Sequence, residues 1–182
     1  MGVSTPTPPP IAFYRPRMAG AATMPKSSDR IYQTQRLRIS KVVEAPLKFV
    51  YQWCTDFRDD DGKLSTSKPR FKTLRPAPDR VLRIRLSNAK AGTPDIAVDL
   101  VRLMPPNAWH VDQIDETDLA AVDYRLSPHG PNKTRVTLDI TERWMTPRHP
   151  DRREYLESTG HYWDRLVAAI EKRYRSGQPA RE

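Results

Sequence analysis

Residues 37–53 read Leu37-Arg38-Ile39-Ser40-Lys41-Val42-Val43-Glu44-Ala45-Pro46-Leu47-Lys48-Phe49-Val50-Tyr51-Gln52-Trp53, and their hydrophobic period changes midway. Up to Val43 the pattern has period two, with Leu37, Ile39, Lys41 and Val43 on one side, as in a half-buried strand. From Pro46 the spacing becomes helical: Pro46, Val50, Trp53, Cys54 and Phe57 share one face, with Leu47 and Phe49 beside it. Pro46 suits the first helical position, where no amide hydrogen is needed, whereas Ala45 offers no capping oxygen. A strand that turns at once into a short helix is therefore the opening move of the fold.

Working outward, the next segments are strands. Residues 58–68 are polar and read as a loop or short second helix, with the Asp59-Asp60-Asp61-Gly62 run as a solvated stretch. A calcium loop fails there, because Phe57 and Lys68 would occupy its first and last ligand positions. Residues 71–75 form a short strand. In residues 81–88, Leu82, Ile84 and Leu86 take one face, and Arg83 and Arg85 the other. Residues 95–104 begin with Ile96, Val98 and Leu100, then slip to Val101 and Leu103, a slip that a bulge would produce. Three cleaner alternations follow: Trp109, Val111 and Gln113; Ala120, Val122, Tyr124 and Leu126; and Val136, Leu138, Ile140, Glu142 and Trp144. Prolines punctuate the gaps, as expected of residues kept out of central ladders. The chain then reads as one long amphipathic helix. Asp151 and Glu154 form a capping box, and Tyr155, Thr159, Tyr162, Trp163, Leu166, Val167, Ile170 and Tyr174 recur at helical spacing.

The order of elements and three local features resemble the START-like helix-grip superfamily, which includes Bet v 1-like, lipid-transfer and polyketide cyclase/dehydratase proteins. The features are the strand leading into Glu44-Ala45-Pro46 and then Phe49-Val50-Tyr51-Gln52-Trp53, the Thr55-Asp56-Phe57 element, and the long strand ending in Arg143-Trp144-Met145 before the last helix. The resemblance covers residues 36–175. It implies an α+β fold: a curved antiparallel sheet of about seven strands around a long C-terminal helix, with a short helical segment after the first strand. It also implies an internal cavity that takes a small hydrophobic molecule such as a lipid, polyketide or quinone.

Composition bounds the rest. The 182 residues are 37% hydrophobic and 29% charged, enough for one domain. Residues 1–30 hold six of the 18 prolines and read as a disordered basic tail, with Met18 and Met24 as alternative starts. The domain spans 31–176, and 177–182 read as a second disordered tail. The net charge of +9 is concentrated at the ends, +4 in residues 1–36 and +2 in residues 171–182, so dedicated nucleic-acid recognition is not expected. No apolar run approaches the length of a membrane span. The single Cys54 permits no internal disulfide, and a cytoplasmic setting is the simplest expectation. Oligomeric state is not legible.

Candidate chemistry rests on polar residues in apparent inward phase. Glu142, desolvated, suits a general acid or base. Lys41, Gln113 and Tyr124 would orient a ligand, and Trp109, Trp144, Tyr162 and Trp163 would line the pocket. His110, His129, His149 and His161 show no metal spacing, and no cofactor motif is present, so neither metal nor cofactor is expected. Three functions follow. The leading one is binding or transport of a hydrophobic ligand. The second is a cyclase or dehydratase using a buried carboxylate. The third is a macromolecular partner domain, for which the basic tails are the motive.

Overall fold

The computed structural model describes residues 33–59, 61–64, 68–87, 95–115, 118–144 and 152–180. The proline-rich segment 1–30 and the capping box at Asp151 lie outside them. Strand β1 (Gln33–Val43) runs into helix α1 (Leu47–Thr55). A 3-10 turn (Asp61–Leu64) follows, then β2 (Arg70–Ala77), β3 (Arg80–Ser87), β4 (Asp95–Met104), β5 (Ala108–Ile114), β6 (Asp118–Pro128), β7 (Thr134–Trp144) and helix α2 (Arg152–Arg175). The strands make one antiparallel sheet in the order β1-β7-β6-β5-β4-β3-β2. From β2 to β7 each strand pairs with the next in sequence, and β1 pairs with β7.

Local chemistry explains the turns. Pro46 is the residue before α1, extended at ψ 148°, and its carbonyl accepts the Val50 amide at 3.0 Å. The helix ends at Asp56, after which Phe57 adopts a left-handed φ of 47° and its side chain is buried. The β6–β7 hairpin turns through Gly130 (φ 122°) and Asn132 (φ 54°), conformations that suit those two residue types. Thr134 Oγ1 donates to the Ala45 carbonyl at 2.8 Å, which ties that hairpin to the end of β1. Pro76 lies in β2, an edge strand, where the β2–β3 register shifts between Leu74 and Ala77. Proline is tolerated there because the outer edge needs no donor.

The core lies on the sheet face that α1 and α2 cover. Leu37, Ile39, Val111, Val122, Val136, Leu138 and Ile140 meet Val50, Trp53, Tyr155, Tyr162, Trp163, Leu166 and Ile170 there. Each such side chain, fully buried, stabilises by about 1.5–3 kcal/mol before conformational entropy is subtracted. After Arg175 the chain folds back rather than fraying at once: within 177–180, Arg173 Nε donates to the Pro179 carbonyl at 2.9 Å, and Ala180 is buried.

Two strands face opposite to a simple hydrophobic-inside reading. On β3, Arg83 and Arg85 point inward with Val81, while Leu82, Ile84 and Leu86 lie half-exposed outside. On β4, Ala97, Asp99 and Val101 point inward, and Ile96 and Leu100 are exposed. The β3–β4 and β4–β5 registers run without a shift, so β4 has no bulge. The apparent slip at Val101 arises because β4 is apolar on both faces at that point. The outer face of β2–β6 consequently carries Leu74, Leu82, Ile84, Leu86, Ile96, Val98, Leu100, Ile114 and Leu119.

Candidate functional site

One rung of the ladder is polar almost from edge to edge. Following the register, Thr73, Arg83, Asp99, Gln113, Ala120, Glu142 and Gln35 are successive cross-strand partners, one from each strand. Asp61, Arg83, Asp99, Gln113 and Glu142 are all buried, with Asp61 and Arg83 at 0% exposure. The next rung is Val81, Val101, Val111, Val122, Ile140 and Leu37. Beyond it lie Leu103, Trp109, Tyr124, Leu138 and Ile39. A polar band thus borders an apolar and aromatic one on the same face.

Arg83 is anchored from below. Its Nη1 lies 3.1 Å from Asp61 Oδ2, and its Nη2 donates to the Arg58 carbonyl at 3.0 Å. Asp61 Oδ2 also accepts the Arg58 amide at 3.0 Å. The guanidinium carbon sits 4.0 Å from the Phe71 ring centre and 5.4 Å from that of Phe57. Asp61 is therefore a sealed ion-pair partner, not part of a solvated loop. The Gly62 backbone lets it reach this place: a Cβ on Gly62 would lie 1.7 Å from the Pro69 carbonyl oxygen.

Asp99 differs. It is 1% exposed, and among the described residues neither carboxylate oxygen receives a hydrogen bond. Burial pushes its pKa above the ordinary value, while Arg85 and Arg83 pull the other way without cancelling the shift. Burial likewise lowers Arg83, against the pull of Asp61 and Asp99. Gln113, with its amide oxygen turned to Arg85, accepts from Nη2 at 2.8 Å and Nη1 at 3.3 Å. At the far end of the rung Gln35 Nε2 donates to Glu142 Oε2 at 2.9 Å. The arrangement offers two guanidinia, an amide and a buried acid with spare acceptor capacity.

The aromatic band is well ordered. Trp109 and Tyr124 stack with ring centres 4.5 Å apart, and Trp163 approaches Tyr124 at 6.1 Å. Burial drives the hydroxyl pKa of Tyr124 and of Tyr162 well above 10, so both are neutral donors. Trp144 is buried at the end of β7, two residues beyond Glu142 on the same face.

Among the residues singled out by sequence, the structure brings Gln113 and Glu142 onto one rung and gathers Trp109, Tyr124 and Trp163 into one band, with Tyr162 buried next to Trp163 on α2. Lys41 does not join them. It pairs with Asp164 on α2, six residues along β1 from Gln35, so it makes no pair with Glu142. Sequence reasoning missed Arg83, Arg85, Asp99 and Asp61. The signal available was the strict Arg-x-Arg alternation of β3, but it has the same period whichever face is buried. No group of three or more His, Cys, Asp or Glu fit to hold a metal exists among the described residues. An open groove of about 490 Å3 lies among Gln52, Thr55, Asp56, Arg75, Pro179 and Ala180, and no rung residue lines it.

Seven antiparallel strands around a long C-terminal helix, with a short helix after the first strand, also describe several solved structures. The Zhui aromatase/cyclase from Streptomyces sp. R1128 superposes with a TM-score of 0.59 at 15% identity, over 80% of this chain and 98% of that one. A START superfamily protein from Mycobacterium smegmatis gives 0.58 at 14% identity, over 78% and 97%. Ara h 8.0201 gives 0.59 at 9% identity, over 79% and 99%. The chain has the helix-grip fold. At these identities the helix-grip likeness concerns architecture alone. No family model and no curated protein matches the sequence. No helix among the described residues is long and apolar enough to cross a membrane.

Proposed function

We propose that the chain binds a small, mostly apolar molecule bearing oxygen functions. The polar end of the ligand lies on the rung of Arg83, Asp99, Gln113 and Glu142, with Arg85 beside it. Its apolar body lies against Trp109, Tyr124, Tyr162 and Trp163. One observation carries this reading: Asp99 is sealed from water, and among the described residues neither of its oxygens receives a hydrogen bond. A buried acceptor with unused capacity is costly alone, and a ligand hydroxyl relieves it. The helix-grip neighbours, among them an aromatase/cyclase and a START superfamily protein, support the same reading.

Native mass spectrometry of the purified protein, with organic extraction, tests this. A co-purifying apolar molecule carrying hydroxyl or carbonyl groups is expected. An empty protein with no thermal shift across lipids, quinones and aromatic polyketides would overturn it.

A second reading, an enzyme of the cyclase or dehydratase type, is favoured by the raised pKa of Asp99 beside two guanidinia. A neutral carboxylic acid there can give a proton to a carbonyl while the arginines hold the developing oxyanion, and Glu142 supplies a base on the same rung. Turnover of a linear poly-β-ketone analogue, lost in Asp99→Asn or Glu142→Gln with the analogue still bound, would establish it.

A further inference from the structure

The outer face of β2–β6 bears Leu74, Ile96, Leu100, Ile114 and Leu119 at 41–48% exposure. They are contiguous through the register: Leu74 and Leu100 flank Leu82, and Ile114 joins Val98 to Leu119. So large an apolar patch marks an interaction surface. Its border is basic. Arg70 is the cross-strand partner of Leu86, Arg143 that of Leu119, and Arg102 lies two residues beyond Leu100 on the same face. All three are exposed, and among the described residues none has a carboxylate within 4.0 Å. Of the other charges on this face, Lys72 lies 4.0 Å from Asp59 and Arg80 3.4 Å from Asp79, while Asp112 and Asp123 share the one imidazole of His110 at 3.0 and 2.8 Å.

We infer that this face docks on a membrane surface containing anionic lipid, with the five exposed side chains entering the headgroup boundary and Arg70, Arg102 and Arg143 meeting phosphates. Two features select that occupant. Free guanidinia ringing an apolar centre complement acidic headgroups. In addition, a sheet that curls around α2 presents its outer face as convex. Two convex faces touch over little area, and a second copy would bring two rings of unpaired arginines together. A fluid lipid surface needs no matching concavity. The inference stands apart from the ligand reading, since it uses the opposite face of the sheet.

Flotation of the full chain tests it, using vesicles of phosphatidylcholine and phosphatidylserine at roughly seven to three and vesicles of phosphatidylcholine alone. Binding to the anionic vesicles is expected, weakened by added salt. Ile96→Thr/Leu100→Thr/Leu119→Thr keeps β-favouring residues and should bind about tenfold more weakly or worse. Arg70→Gln/Arg102→Gln/Arg143→Gln should also lose affinity. These exposed arginines make no ion pair, so this variant carries the test if the threonine variant misfolds. Failure of the unaltered chain to float would overturn the proposal. So would unchanged binding by either variant, which would assign the affinity to the basic chain ends. A dimer in sedimentation velocity, abolished by the threonine substitutions, would overturn it in favour of a second copy.

Discussion

Arg83 and Asp99 lie directly opposite each other on β3 and β4, both out of reach of water, yet no hydrogen bond joins them. Arg83 instead spends its ion pair on Asp61, beneath the sheet edge. The division of labour is physical. A buried guanidinium must be paired, and Asp61 does that with one strong contact. Asp99 is left with a carboxyl that burial favours in its neutral form.

Breaking the Arg83–Asp61 pair from one side should therefore be severe. Asp61→Ala should cost about 3–5 kcal/mol, because it strands a buried cation. Replacing both partners, as Asp61→Leu/Arg83→Met, should recover most of that loss. Urea unfolding of Asp61→Leu, Arg83→Met and the double variant measures the coupling.

Asp99 should make stability depend on pH with a definite sign. Its folded pKa is raised, so between the unfolded value near 4 and the folded value the native state holds more protons than the unfolded chain. Stability should fall as pH rises through that window. Asp99→Asn should flatten the slope there and raise the thermal midpoint most at the alkaline end, while weakening ligand binding. Thermal melts of both proteins from pH 4 to pH 9 check the sign.

His110 should contribute a second, separable slope. Burial lowers its pKa, but hydrogen bonds to Asp123 at 2.8 Å and Asp112 at 3.0 Å outweigh this and leave it raised. The associated stability is fully present below about pH 6.5 and is lost as pH rises through the folded value. His110→Gln should remove this slope and leave the Asp99 one in place, and NMR titration of the imidazole should report the upward shift directly.

Gly62 should tolerate no side chain. A Cβ would meet the Pro69 carbonyl oxygen at 1.7 Å, and that atom is backbone with little room to yield. Gly62→Ala should destabilise by about 1–3 kcal/mol and loosen Asp61 beneath Arg83, measurable as a lowered urea midpoint.

Lys41 and Arg85 should separate cleanly in ligand titrations. Lys41 is six residues from the rung along β1, roughly 20 Å, and is committed to Asp164. Lys41→Ala should leave affinity unchanged, whereas Arg85→Met should weaken it about tenfold. Quenching of the protein's tryptophan fluorescence by the extracted ligand gives both numbers.

Much of the architecture was legible because period two is unambiguous where one face is apolar. The residues Leu37 and Ile39, Val122 and Tyr124, and Leu138 and Ile140 point inward as their alternation implies. The polar rung was legible only where it interrupts such a strand, as Gln113 and Glu142 do. On β3 and β4 the same logic inverts, because the apolar set Leu82, Ile84, Ile96 and Leu100 serves the outer surface and the inner positions hold Arg83, Arg85 and Asp99. Period alone does not say which face is buried. That choice depends on Asp61, a residue more than 20 positions away whose pairing no local pattern encodes. Lys41 was misplaced for the converse reason: it is in phase with the core, but its long side chain reaches past the core edge to α2.

The β1–β7 pairing bears on how the chain comes into being. Gln33 is matched with Trp144 and Val43 with Thr134, so among the described strands β1 has its hydrogen-bonding neighbour in β7, the strand farthest from it in sequence. Loop closure over such separations is slow. The strands from β2 to β7 can pair locally as they emerge, while β1 waits as an unpaired, half-apolar segment until β7 has been made. The Gln35–Glu142 contact thus forms only once β7 exists, and a chaperone that shields nascent β1 should raise the yield of folded protein more than one acting after β7 has paired.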